Sequence, residues 1–81
     1  MTFYRVRAFD QEGAQYIRTT SRRYPWAAES FAGALGAREK EYRTLRGAKS
    51  AARRMKIPKW VERLEVQRVI PLETFEIEVL R

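Results

Sequence analysis

The chain contains no cysteine and no histidine. Without thiols there are no disulfides, no thiolate nucleophile and no cysteine metal site. Without imidazole, the commonest transition-metal ligand and the usual acid–base group near neutral pH are missing as well. Glycine is sparse and scattered, at 13, 33, 36 and 47, so no glycine-rich loop exists to cradle a phosphate. No apolar stretch approaches the ~20 residues of a membrane span. Phe3-Tyr4-Arg5-Val6-Arg7 follows the first residues in place of a signal-peptide core. The expectation is a soluble, cytoplasmic protein with no membrane partner.

For catalysis only carboxylates, lysines, tyrosines and hydroxyls remain. Glu39 with Glu41, and Glu76 with Glu78, are spaced as same-face pairs on strands, where solvated surface is the ordinary explanation. The expectation is a protein that is not an enzyme and needs no metal or cofactor.

Apolar residues make up 44% of the chain and aromatics 12%, which is globular composition. Residues 1–81 are enough for one domain with one core, and most aromatics are needed to build it. Lys and Arg number 17 against 10 Asp and Glu, a net charge of +7. Such an excess favours polyanionic partners: nucleic acid, a nucleoprotein or an acidic protein surface.

Phe3 to Phe9 alternates with period two, Tyr4, Val6 and Ala8 on one face and Arg5 and Arg7 on the other, which predicts a strand. Asp10-Gln11-Glu12-Gly13 supplies turn chemistry, and Tyr16 to Thr20 returns as the second arm of a hairpin. Pro25 suits the first turn of a helix and Gly36 its end, with Ala27, Ala28, Phe31, Ala34 and Leu35 on one arc. Arg38 to Arg43 is read as a short strand ending at Tyr42. Thr44 is an N-cap for a second helix, stopped by Pro58 soon after Ile57, whose buried stripe is Leu45, Ala48, Ala52 and Met55. Trp60, Leu64, Val66 and Ile70 share one side of an extended segment that Pro71 ends. Thr74 to Leu80 forms a last strand with Phe75, Ile77 and Val79 inward and Glu76 and Glu78 outward. Opposite charges on the two terminal strands suggest that they are neighbours. The expected fold is α+β: an antiparallel sheet of four or five strands with two helices on one face.

In the second helix Arg46, Lys49, Arg53 and Lys56 lie within about 80° of one another, with Arg54 elsewhere on the exposed side. Four cations along three turns can track a phosphate backbone; equally, an exposed helix face in so basic a chain must carry cations somewhere. Arg18, Arg22 and Arg23 precede the first helix, where positive charge opposes the helix dipole and an anion would relieve it; the alternative is that they point into water. Phe3, Arg5, Arg7 and Phe9 share a strand face of the kind that stacks single-stranded bases, although the glycine-flanked aromatic motif of the common RNA-binding sheet is absent. Trp26 lies off the apolar arc of its helix. It serves either as a surface anchor for a partner protein or as cover for a sheet edge.

The run Tyr42-Arg43-Thr44-Leu45-Arg46-Gly47-Ala48-Lys49-Ser50-Ala51-Ala52-Arg53-Arg54 resembles a strand-into-helix pattern of small bacteriophage accessory proteins, among them the smallest anti-CRISPR proteins, which are compact α+β domains. It is similar also to the arm-DNA-binding domains of tyrosine recombinases, where a three-stranded sheet packs on one helix, a layout from which a two-helix chain departs. The resemblance covers thirteen residues and carries over no family site residue. It implies a phage-borne inhibitor of a host defence complex. The function expected from these readings together is a non-catalytic basic binding protein acting on nucleic acid or a nucleoprotein through Arg46, Lys49, Arg53, Lys56, Arg54, Arg22 and Arg23. The alternative is a protein–protein adaptor or inhibitor that binds a host protein through an apolar patch around Trp26. The oligomeric state is open.

Overall fold

A computed structural model describes residues 2–34, 36–70 and 73–79, with 75–79 given by backbone alone. The elements are strands β1 (Phe3–Phe9), β2 (Gln15–Arg18) and β3 (Trp26–Ala28), helices α1 (Glu29–Ala34) and α2 (Leu45–Arg54), and strands β4 (Arg63–Ile70) and β5 (Glu73–Val79). The strands form one sheet in the order β3-β2-β1-β4-β5, every neighbouring pair antiparallel. The expected α+β fold is what the chain adopts.

The β1–β2 connection is built around Asp10. Its Oδ1 accepts from the Glu12 and Ala14 amides, both at 2.9 Å, and Gly13 takes φ +82°. The start of α2 follows its cap: Thr44 is extended and its hydroxyl accepts from the Gly47 amide at 3.0 Å. Gly36, at φ +70°, ends α1. The Gly36 and Ala37 amides donate to the carbonyls of Gly33 and Ala32, which would otherwise lack partners.

The first core lies under α2. Ala48 and Ala52 are buried against Val6 and Ala8 of β1 and Leu64 and Val66 of β4, with Leu45 and Met55 at the rim. Alanines on this stripe leave room for the helix to approach the sheet closely. The second core is Ile17, Ala27 and Ala32. Ile17 pairs with Arg7 and Ala27 with Ile17, so these residues occupy the face opposite Val6 and Ala8. The two helices therefore cover opposite faces of the sheet and not one.

Several expectations are corrected. Pro25 does not open a helix: Trp26–Ala28 pairs with β2, and helix begins only at Glu29. Of the proposed apolar arc, Ala27 and Ala28 belong to the strand and Phe31 is exposed. Leu35 lies outside the described residues. The second helix stops at Arg54, short of Ile57, with Met55 already extended. Residues 38–42 form two isolated bridges, Thr19 with Glu39 and Tyr4 with Tyr42, in place of a strand. Trp60 sits in a turn before β4 and is exposed. The terminal strands are not neighbours, because β4 pairs with β1 along its whole length and separates it from β5. The break at Pro71 and the facing of side chains 75–80 lie outside the described residues.

Candidate polyanion-binding surface

The sheet face shared by Arg5 and Arg7 is not the open platform its alternation implied. Arg7 is 3% exposed. Its Nε and Nη2 clasp both carboxylate oxygens of Glu39, the second at 2.7 Å, while Nη1 donates to Gln15 Oε1 at 2.6 Å and lies 3.9 Å from Glu29. Arg5 donates to Gln67 Oε1 at 2.9 Å and lies 3.6 Å from Glu39. Burial, then the neighbouring Arg7 charge, push the Arg5 guanidinium below its usual pKa, with Glu39 opposing. Gln67 in turn donates to Glu65, which pairs with Arg63. Base stacking on Phe3, Arg5, Arg7 and Phe9 is thus overturned: the arginines are engaged by acids and amides from four other parts of the chain.

The segment carrying Glu39 is held by its backbone. The Thr20 amide donates to Arg38 and the Lys40 amide to Arg18, and Tyr4 and Tyr42 exchange two bonds of 2.8 Å. This inserts residues 38–42 between the first half of β1 and the end of β2, delivering Lys40 to the same end of the molecule as Arg18.

Five of the seven predicted cations separate into two groups, and Arg23 and Arg54 join neither. Arg46, Lys49 and Arg53 line a shallow groove of about 590 Å³ along the flank of α2, together with Leu45 and Ser50. Arg54 is exposed but does not line it. Lys56 lies beyond the helix end and joins a second groove of about 740 Å³. There it meets Arg22 from the β2–β3 turn, along with Arg18, Lys40 and Lys59, which the sequence reading did not assign to this site. These five cations come from three chain segments, and no Asp or Glu lines the groove. None of the five forms an ion pair among the described residues.

Arg22 and Arg23 are not at a helix start, so the dipole argument for an anion there fails; they occupy the β2–β3 turn. The turn is shaped by Thr19, whose hydroxyl donates to the Tyr24 carbonyl and accepts from the Ser21 amide. Arg23 stacks over Tyr24 at 5.5 Å. Trp26 is half-buried against the α2 core and forms part of the groove floor, with the Arg18 guanidinium 5.4 Å from its ring centre. Its indole N–H is buried without a hydrogen-bond partner among the described residues. Trp26 thus lies in the edge strand β3, packed on the α2 core and bordering the groove.

No local signal marks Lys40 or Lys59 as members of this groove. Lys40 arrives through the Thr19–Glu39 bridge and Lys59 through the turn after Pro58. Among the described residues no group of three or more Asp or Glu is placed to hold a metal ion, and no helix is long and apolar enough to cross a membrane. No family model, no curated protein and no solved structure matches the chain.

Proposed function

We propose that this protein is a non-catalytic basic binding protein whose partner is nucleic acid or a nucleoprotein complex. One observation carries the reading: Arg18, Arg22, Lys40, Lys56 and Lys59 converge on a groove with no carboxylate in its lining. Like charges gathered without counter-ions repel one another, and a polyanion relieves that repulsion while releasing its own condensed cations. The α2 flank with Arg46, Lys49 and Arg53 provides a second track for phosphates. The resemblance to small phage inhibitors extends the proposal to a setting, in which the protein obstructs a host defence complex by occupying its nucleic-acid path or a charged subunit surface.

The test is a salt titration of binding to labelled DNA and RNA by fluorescence anisotropy. Log affinity should fall linearly with log salt, by about 0.7 to 0.9 for each phosphate contacted. Replacing Arg22, Lys56 and Lys59 by Gln should flatten the slope by about two, with a smaller change for Arg46, Lys49 and Arg53. Absence of binding to either polynucleotide at low salt refutes the reading. The second reading, an adaptor for a host protein through the patch around Trp26, is favoured by the exposed Phe31 and Trp60 that border the same depression as Trp26. A Trp26→Ala variant that keeps full partner binding counts against it.

A further inference from the structure

We infer that the β3 end of the molecule selects single-stranded over duplex nucleic acid, stacking bases on Trp60 and Phe31 while the five-cation groove holds the backbone. This deepens, and rests on, the nucleic-acid reading above. Among the described residues three large hydrophobic side chains are substantially exposed: Tyr24 at 41%, Phe31 at 55% and Trp60 at 41%. Phe31 and Trp60 gather in one depression with Tyr16 and Trp26. Tyr24 precedes β3, Phe31 follows it on α1, and Trp60 rests on Tyr16 of β2 with ring centres 4.6 Å apart. In a chain this small, aromatic area left in water is area withheld from a scarce core, so its clustering calls for a use.

The clustering is also continuous with the charge. Phe31, Trp60 and Tyr16 line a depression over Ala27 and Ala28, and Trp26 borders both this depression and the cationic groove. A cation already rests on a ring there, with the Arg18 guanidinium over Trp26. Trp60 borders a further hollow at Asp10 and Glu12. Those carboxylates repel phosphate, so a strand lies with its backbone on the lysine and arginine side and its bases turned toward Trp60 and Phe31. A duplex keeps its bases stacked inside and offers these rings nothing, whereas a single strand presents a π-face at every nucleotide.

The experiment compares three probes of equal phosphate number: a single-stranded oligonucleotide, its duplex and an abasic strand. Binding is followed by anisotropy, with quenching of intrinsic tryptophan fluorescence as a second readout. The wild-type chain should bind the single strand more tightly than the other two. Phe31→Ala and Trp60→Ala should each weaken single-strand binding by about 5- to 100-fold while leaving duplex binding unchanged. Trp60→Phe should restore most of the loss. Phe31 is exposed enough that its removal leaves the fold intact, which circular dichroism checks. Equal affinity for all three probes, or variants that weaken all three alike, overturns the stacking inference and leaves nucleic-acid binding standing. Binding to none of the probes, including the case where an acidic protein binds instead, overturns both.

Discussion

Replacing Glu39 by Gln tests whether the polar face of the sheet is held by one carboxylate. The substitution keeps the side chain's shape and removes its charge, leaving Arg7 facing a neutral amide. Arg7 is 3% exposed, so its positive charge has little water to fall back on. Breaking a buried pair by removing one member typically costs about 3–5 kcal/mol. Here Gln15 still accepts from Arg7 at 2.6 Å and Glu29 remains 3.9 Å away, which places the cost near the lower end, about 3 kcal/mol. The Arg5–Glu39 pair is lost with it. For a domain of this size that is a fall in Tm of about 12–24 °C. Urea unfolding followed by tryptophan fluorescence measures the change in stability, and an unchanged m-value shows that the comparison is valid. Changing Arg7 and Glu39 together to Met should recover most of the loss, since the penalty belongs to the unpaired charge and not to the missing attraction. The amides of Lys40 and Tyr42, which anchor the Glu39 segment, should exchange faster in the single variant. A loss below about 1 kcal/mol for Glu39→Gln, or a double variant as unstable as the sum of the singles, would refute the reasoning.

Two further predictions concern the cap and the tyrosines. Thr44→Ala should cost about 1 kcal/mol by freeing the Gly47 amide. A Cβ on Gly47 would stand 3.0 Å from Thr44 Oγ1, so Gly47→Ala should bring little gain alone and recover the usual helix preference for alanine, up to about 1 kcal/mol, only in the Thr44→Ala background. Thermal unfolding of the two singles and the double measures this coupling, and simple additivity would count against it. Tyr16 and Tyr42 both titrate above the usual tyrosine range, Tyr16 chiefly because its hydroxyl donates to Asp10 at 3.2 Å, Tyr42 chiefly through burial. A raised folded-state pKa means that their contribution is complete below the ordinary value and lost as pH rises through the folded value, so stability should fall on the alkaline side. Asp10→Asn should return Tyr16 toward its ordinary value and leave Tyr42 unmoved, as followed by tyrosinate absorbance.

Local chemistry made some of this fold readable and hid the rest. The strand over Phe3–Phe9, the Asp10 turn, the Thr44 cap, the alanine stripe of α2 and the Gly36 stop each depend on residues within a few positions of one another, so the sequence shows them directly. Ala27 and Ala28 misled because alanine favours helix, yet tertiary pairing with Tyr16 and Ile17 draws them into a strand. Their small size has a different cause: Ala27 must fit beneath Ala32 of α1. The alternation of β1 also implied one solvated face. Arg7 is buried there because Glu39, 32 residues away, satisfies it, and no local pattern encodes such a pairing. The candidate site divides in the same way. Helical spacing put Arg46, Lys49 and Arg53 together, while Lys56 joined Arg22 and Lys40 only once the chain had folded.

The distribution of acids explains where the positive charge ends up. Glu29, Glu39 and Glu65 supply the carboxylates of the ion pairs among the described residues, and all of them serve the Arg5–Arg7 side of the sheet or its continuation on β4. Glu29 and Glu39 pair with Arg5 and Arg7, which the fold buries wholly or in part, and Glu65 pairs with the exposed Arg63, so none of the three lines the groove at the β3 end. Among the described residues the ion pairs and the five-cation groove therefore lie in different parts of the molecule. Five cations, Arg18, Arg22, Lys40, Lys56 and Lys59, gather instead in a groove that borders Trp26, while Arg46, Lys49 and Arg53 lie along α2. Stability and the proposed binding thus draw on different parts of the molecule. Removing Glu39 should destabilise the protein while the folded form keeps its five-cation groove, and removing Lys56 or Lys59 should weaken binding without destabilising the fold.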